Sequence, residues 1–139
     1  MNPKDESQLL LNEVLPFAEQ MLREHGEFYP YGGFMKLDGS IAHVGASDLD
    51  TDRPKSQDLI QILRNSFQDM AQANQCKAVA LVFDVRVTIP DSGLKSDAIQ
   101  VCLEHKDGYS AQVFFPYQIN NDDVVYGDTF AQQGNREVF

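Results

Sequence analysis

The chain carries three histidines and two cysteines, the side chains best suited to binding a metal or acting as a nucleophile. His25, His43 and His105 stand far apart and form no pair at the spacing of a helical or ribbon metal site. Cys102 lies three residues before His105, so on one β-strand the two side chains point to opposite faces. The spacing therefore predicts neither a metal site nor a Cys–His nucleophile. Cys102 and Cys76 are expected to be free structural thiols, as is usual in the cytosol.

The glycine pair Gly32-Gly33 does not fit a phosphate-binding loop. Such a loop follows a strand and opens a helix, whereas this pair stands before a predicted strand. A turn or close packing of the backbone explains the pair better. No catalytic residue, cofactor or metal ligand is therefore assigned.

Asp84 and Arg86 stand two residues apart on a predicted strand, so both project from one face of the sheet. One interpretation is a solvated face with cross-strand ion pairs, each worth roughly 0.2–1 kcal/mol. The other is a polar recognition surface for a partner.

Two aromatic segments built around proline are the most unusual local feature, Phe28-Tyr29-Pro30-Tyr31 and Phe115-Pro116-Tyr117. They either pack together under the first helix or expose a hydrophobic anchor for a partner, since tyrosine is enriched in binding cores. The predicted interaction surface consists of eight residues: Tyr29, Tyr31, Asp48, Asp50, Asp52, Asp84, Arg86 and Tyr117.

The net charge of −10 and the pI near 4.5 limit the partners. Nucleic acids and anionic membranes need clustered Lys and Arg, and the sequence has no such cluster. The longest apolar run, Ala78 to Phe83, is too short to span a bilayer. The first residues lack the basic and apolar regions of a signal peptide, so a cytoplasmic protein is expected.

Two helices are predicted from apolar residues at spacings of three and four. The first covers Asp5 to His25, is closed by a left-handed cap at Gly26, and kinks or starts anew at Pro16. The second runs from about Pro54 or Ser56 to Asn74.

A β-hairpin is predicted between the helices, with Asp38-Gly39 as a two-residue loop that sets Met35 opposite Ala42 and Phe34 opposite His43. After the second helix the period changes to two. Strands are expected at Lys77 to Ile89, Lys95 to His105 and Tyr109 to Tyr117, with a short one at Val124 to Gly127.

The register of the last long hairpin follows from its apolar residues. A three-residue loop with Gly108 in the left-handed position sets Leu103 against Ala111 and Val101 against Val113. This arrangement gathers apolar side chains on one face, which a two-residue loop would not do.

The predicted fold is one α+β domain over residues 1–139, with residues from about 129 to 139 as a tail. Its elements run α-β-β-α-β-β-β, with about five strands in a single antiparallel sheet and both helices on one face. We expect Leu63, Phe67, Leu81, Phe83 and Val101 to be buried together.

This order, with Leu37-Asp38-Gly39-Ser40-Ile41 in the hairpin, resembles the roadblock and profilin-like α/β group. The chain is also similar to an uncharacterised family of small acidic bacterial proteins. That similarity runs from Phe28-Tyr29-Pro30-Tyr31-Gly32 through Asp84-Val85-Arg86-Val87-Thr88 to Leu103-Glu104-His105 and Phe115-Pro116-Tyr117. The two resemblances imply a fold, and neither brings a catalytic residue or an activity.

The sequence therefore favours a non-enzymatic cytoplasmic domain that binds another protein, with a basic protein as the partner that its charge suits. An immunity-type protein that neutralises a toxin is one concrete form, and a homo-oligomer is a further option. The alternative is a small-ligand binder or an enzyme with a pocket near Tyr29-Pro30-Tyr31.

Overall fold

The computed structural model describes residues 2–46 and 54–139. The described strands form one antiparallel sheet in the order β2-β1-β3-β4-β5-β6, with β7 also paired to β5. The α+β class is confirmed, but the described part of the chain forms seven strands where about five were predicted. In chain order the elements are α1 (Pro3–His25), β1 (Tyr31–Met35), β2 (Ile41–Gly45), α2 (Ser56–Gln72), β3 (Ala78–Thr88), β4 (Lys95–His105), β5 (Ser110–Asn120), β6 (Asp123–Tyr126) and β7 (Phe130–Gln133).

The additional strands come from the edge of the sheet beside β5. β6 and β7 both pair antiparallel to β5, on either side of Pro116, so they act as one edge strand with a break. Proline has no N–H for the ladder. At the break its carbonyl instead accepts a hydrogen bond from the N–H of Gly127 at 2.8 Å. β7 lies within the segment that the sequence predicted to be a tail.

The two helices pack on opposite faces of the sheet, so the prediction that they share one face is wrong. α1 packs with Ala78, Ala80 and Val82, whereas α2 packs with Val79 and Leu81. Alternate residues of a strand point to opposite faces. The molecule therefore has three layers, with the sheet between the helices.

The error came from reading β3 as a strand with one buried face. Its first half, from Ala78 to Val82, is buried at every residue. A continuous apolar run is typical of a strand covered on both faces. The predicted shared core is accordingly divided, because Phe67 belongs to the α2 cluster and Val101 to the α1 cluster. Phe83 is only half-buried.

The glycine pair on β1 lies where both helices pack closely on the sheet. A Cβ at Gly33 would lie 2.6 Å from Cγ1 of Val14 on α1. A Cβ at Gly32 would lie 2.8 Å from Cζ of Phe67 on α2 and would also contact the carbonyl oxygen of Ala80. These glycines therefore allow close packing on both faces of β1.

α1 begins at an Asn2 cap, whose side chain accepts the N–H of Asp5, so the helix starts two residues before the predicted start at Asp5. It ends at Gly26 in the left-handed conformation, as predicted. The helix continues through Pro16, where a kink or a new start was predicted. Near that proline the hydroxyl of Tyr31 donates to the carbonyl of Val14 at 2.5 Å and accepts from the N–H of Ala18 at 2.9 Å. It bridges two groups that an undisturbed helix pairs directly.

The two predicted hairpin registers had different outcomes. Between β4 and β5, Leu103 pairs with Ala111 and Val101 with Val113, which confirms the three-residue loop. Between β1 and β2, Met35 pairs with Ile41, one residue away from the predicted partner. The N–H of Gly39 donates to the carbonyl of Lys36, so the loop has three residues and Gly39 takes the left-handed conformation.

Among residues 2–46 and 54–139, no helix combines the length and the apolar character needed to cross a membrane. Cys76 and Cys102 are both free thiols, the first buried and the second half-buried.

Candidate functional site

The helices do not cover the whole sheet, and the uncovered end is the best candidate for a functional surface. β3 is buried up to Val82 and then alternates between half-buried and exposed residues as far as Thr88. The β3–β4 and β5–β6 turns lie at this same end, because the strands are antiparallel. We call the part of the sheet formed by residues 84–97 and 117–126 the distal end.

A row of four side chains crosses the α1 face of the distal end. Arg86 on β3 pairs with Asp97 on β4, Asp97 pairs with Tyr117 on β5, and Tyr117 pairs with Tyr126 on β6. Directly paired residues of neighbouring strands project from the same face and touch one another. Nη1 of Arg86 lies 3.2 Å from Oδ1 of Asp97, in an ion pair that is exposed and therefore contributes little stability.

Tyr117 connects this row to the core. Its side chain is 5% exposed and packs in the α1 cluster, while its hydroxyl donates to Oδ1 of Asp84 at 2.9 Å. Burial raises the pKa of Tyr117, and the Asp84 carboxylate raises it further. The phenol therefore stays protonated and acts as a fixed donor.

The pKa of the Asp84 carboxyl is also raised. Partial burial is the main cause, the hydrogen bond from Tyr117 opposes it, and the nearby negative charge of Asp97 adds to it. The side chain itself still faces solvent. A solvent-facing carboxyl with a raised pKa can accept a hydrogen bond or exchange a proton, and such groups often mark functional sites.

Arg86, Asp97 and Tyr117 line a groove of about 340 Å³ beside the end of α1. Gly26 forms one wall, and Lys95, Ser96 and Ile119 continue the lining beyond the row. The carboxylate of Asp97 gives this groove an acceptor, and Arg86 and Lys95 give it cationic donors.

Exposed apolar side chains surround the distal end. Leu94 in the β3–β4 turn is 66% exposed, and Ile119, Val125 and Tyr126 are 38%, 49% and 37% exposed. Ile119 and Tyr126 lie on the α1 face with the row, whereas Val125 lies on the opposite face. Isolated exposed apolar residues are ordinary, and larger exposed apolar patches occur at protein-binding, membrane-binding and ligand-binding sites.

Three of the eight predicted surface residues, Asp84, Arg86 and Tyr117, therefore come together at the distal end. Tyr31 is buried against α1 and does not join them. Tyr29 is 58% exposed and lies at the other aromatic segment. The predicted positions Asp48, Asp50 and Asp52 lie outside the described residues.

A second pocket, of about 300 Å³, lies next to Tyr29. Met21, Phe28 and Tyr29 provide apolar walls, and His25 and Glu27 provide polar groups. Its size is at the lower limit for a small-molecule site.

Asp97, Lys95 and Tyr126 belong to the distal end but were missing from the sequence prediction. The signal that could have found Asp97 is the β3–β4 register, which places it opposite Arg86. Tyr126 required knowledge that β6 pairs with β5 beyond Pro116.

A buried polar cluster on the α1 face ties the first turn of α1 to the sheet. Nε2 of His105 lies 3.0 Å from Oε1 of Glu6, and Nδ1 accepts the N–H of Asp107, so Nε2 carries the proton. An ion pair with Lys77 is the main reason that the pKa of Glu6 is lowered. These groups satisfy one another, and we assign them a structural role.

Within the part of the chain that the structure describes, no group of three or more His, Cys, Asp or Glu side chains is placed to hold a metal ion. Comparison of the chain with models of known protein families, with curated proteins and with solved structures found no match. The resemblances noted in the sequence stay predictions.

Proposed function

We propose that this protein is a non-enzymatic interaction domain that binds a basic protein through its distal end. The observation that carries the proposal is the uncovered end of the sheet, where Arg86, Ile119 and Tyr126 are exposed on the α1 face. Arginine and tyrosine are enriched among the residues that dominate binding energy, and buried apolar area supplies the driving force.

The charge of the distal end supports a basic partner. Arg86 is paired with Asp97, which leaves Lys95 as the other cation among the described groove residues. Acidic residues in the two turns outnumber it, namely Asp91, Asp122 and Asp123. A negatively charged surface attracts a positively charged patch on a partner and repels nucleic acid.

A toxin neutralised in the cytoplasm is the concrete partner that this proposal favours. A basic nuclease-like or membrane-active surface would be blocked by an acidic protein with an apolar contact area. Genes next to the one that encodes this chain are the first place to look for such a partner.

The test is a pull-down with the purified protein as bait, followed by binding measurements with any partner found. The distal double variant Leu94→Ser/Ile119→Thr removes two exposed apolar side chains and is expected to weaken binding at least about tenfold, since each contact residue that matters contributes more than about 1 kcal/mol. Stability should be unchanged because both side chains are exposed.

The matched control is Leu9→Ser/Leu37→Ser, which alters two side chains of similar exposure away from the distal end. It should bind as the parent does. Equal loss of binding in both double variants would show that the distal end is not the interface. Turnover of a small substrate by the pure protein would contradict the non-enzymatic proposal.

The pocket beside Tyr29 supports a second candidate function, a small-ligand binder. A thermal-shift screen of small molecules tests it, with Tyr29→Ala as the variant that removes an exposed wall of the pocket. A ligand that stabilises the parent but not the variant would favour this function. A screen in which the same compounds stabilise both would place binding elsewhere.

A further inference from the structure

Residues 134–139 cross the α2 face of the sheet without regular secondary structure. We call this segment the strap. It follows β7 and lies over β4 and β5, next to α2. The side chains that hold it come from these three elements, so the strap occupies a groove that the rest of the fold forms.

A buried carboxylate binds the backbone of the strap. Glu104 is 8% exposed, and its Oε1 accepts the N–H groups of Glu137 at 2.9 Å and Val138 at 3.1 Å. Burying a carboxylate without partners is costly. The strap amides supply those partners, and the pKa of Glu104 is nevertheless raised because burial outweighs these bonds.

Two side chains of α2 bind the strap from the other wall. Nε of Arg64 lies 2.5 Å from Oε2 of Glu137, and Nε2 of Gln68 donates to the carbonyl of Glu137 at 2.7 Å. Val138 and Phe139 pack against the α2 cluster. The groove thus recognises backbone amides, one acidic side chain and two apolar side chains in succession.

The strap does not fill its groove. A cavity of about 30 Å³ remains beneath it, lined in part by Phe67, Cys102 and Gln112. This volume holds a water molecule or two. Val138 and Phe139 are only half-buried. Most polar contacts of the strap are hydrogen bonds with individual side chains rather than a ladder of backbone hydrogen bonds. Segments held in this way open at a low free energy.

We infer that the groove between α2 and strands β4 and β5 is a peptide-binding site, occupied in cis by the strap. Its ligand in trans is an extended peptide in which an acidic residue precedes two apolar residues, as in Glu137-Val138-Phe139. Recognition through backbone amides together with side-chain pockets is how proteins bind extended peptides. This site lies on the α2 face and does not depend on the proposed function of the distal end.

The test uses the full chain and a fluorescent peptide with the sequence of residues 134–139. The variant Glu137→Ala/Phe139→Ala weakens the strap but leaves Glu104, Arg64 and Gln68 in place. A tethered segment competes at an effective concentration in the millimolar range, so the weakened variant should bind the peptide at least about tenfold more tightly than the parent. Fluorescence anisotropy measures this difference.

Adding Glu104→Ala to the weakened variant should lower peptide affinity again, because the amides of the peptide lose their acceptor. Glu19→Ala is the matched control, since it removes an acidic side chain paired with an arginine on α1. When Glu19→Ala is added to the weakened variant instead of Glu104→Ala, the affinity for the peptide should not change. A peptide of the same composition in scrambled order should not bind.

Circular dichroism and thermal unfolding establish that each variant is folded. Equal peptide binding by the folded parent and the folded weakened variant would overturn the inference. If the double variant does not fold, Phe139→Ala alone, which removes one half-buried ring, is compared with the parent. Equal binding in that comparison would overturn the inference as well.

Discussion

The hydroxyl of Tyr31 shows how one atom can adapt a helix to a proline. Pro16 cannot donate an N–H, and its ring crowds the preceding turn of α1. The hydroxyl enters the helix close to this point and serves both the carbonyl of Val14 and the N–H of Ala18. Tyr31, which the sequence predicted to bind a partner, therefore has a structural role.

Tyr31→Phe should destabilise the protein by about 1–2 kcal/mol, because the ring stays buried while two helix groups lose a hydrogen-bond partner. Urea denaturation measures the loss. Tyr29→Phe is the control, since that side chain is exposed and its hydroxyl has no described partner within residues 2–46 and 54–139. Equal effects of the two substitutions would contradict the role of the Tyr31 hydroxyl.

Asp84→Asn should stabilise the protein at pH 7. The pKa of Asp84 is raised in the folded state, so the folded protein holds this proton more tightly than the unfolded chain does. The contribution of Asp84 to stability is therefore complete below its unfolded pKa and is lost as the pH rises through the folded pKa. The gain at pH 7 should be less than about 1 kcal/mol, because solvent screens so exposed a carboxyl.

Denaturation of the parent and of Asp84→Asn at a series of pH values checks this expectation. The difference between the two proteins should disappear as the pH falls towards 3, where Asp84 is protonated in both states. Asp123→Asn, in the exposed β5–β6 turn, serves as the comparison. A difference that grows on acidification would reverse the assigned sign.

At the scale of the elements, β1 has little space on either face. Both helices approach it closely, α1 at Gly33 and α2 at Gly32, and any side chain there meets atoms of a helix or of a neighbouring strand. This packing explains why two successive residues of β1 are glycines.

Gly33→Ala should cost about 1–3 kcal/mol, the usual range for overpacking, because its methyl group would press on Val14. Gly45→Ala, at the end of β2, is the matched control, because a Cβ there meets no atom of the described residues within 4 Å. Chemical denaturation separates the two cases. A loss of stability for Gly33→Ala no larger than that for Gly45→Ala would show that the helices can move away without cost.

The elements themselves were largely predictable from hydrophobic periodicity and caps. β4 was predicted with its observed bounds, and the β4–β5 register followed from matching apolar residues across Gly108. The β1–β2 register was missed because Asp38-Gly39 serves a two-residue and a three-residue loop equally well. Which face each helix covers was missed because Ala78, Ala80 and Val82 are small, and their burial depends on α1.

The candidate site was predictable only in part. Asp84 and Arg86 could be placed together because they stand on one strand, but their neighbours come from β4, β5 and β6. Such neighbours depend on registers between strands, which a single sequence determines weakly. The strap groove gave no signal in the sequence, since Glu104, Arg64 and Glu137 are far apart along the chain.

The whole molecule carries an excess of ten negative charges, and this excess acts at long range. A basic partner would be attracted before any contact forms, whereas binding to DNA or RNA should be negligible at physiological salt. The position of the acidic residues on the surface determines which face of the molecule a basic partner approaches first.

Association with a basic partner should therefore slow as salt is added, because exposed charges are screened beyond roughly 8 Å at physiological ionic strength. Two variants with the same loss of three charges can locate the interface by stopped-flow kinetics. If the distal end docks, its variant should slow association more and leave dissociation nearly unchanged. A larger effect of the other variant would place the interface elsewhere. The distal variant is Asp91→Asn/Asp122→Asn/Asp123→Asn, and its counterpart is Asp48→Asn/Asp50→Asn/Asp52→Asn.

The sheet order also has a consequence for how the chain folds. β3, β4 and β5 are joined by short turns, and so are β1 and β2, but β1 and β3 meet along a seam from Tyr31–Val82 to Met35–Ala78. Contacts between distant parts of a chain form late, because closing the loop between them costs entropy before the contacts contribute any stabilising free energy. The β3–β4–β5 meander should therefore form first, and the β1–β2 hairpin should pair with it afterwards. α1 and α2, which both touch β1 and β3, would hold the seam closed from either side, so its amides should exchange with solvent only when a helix detaches.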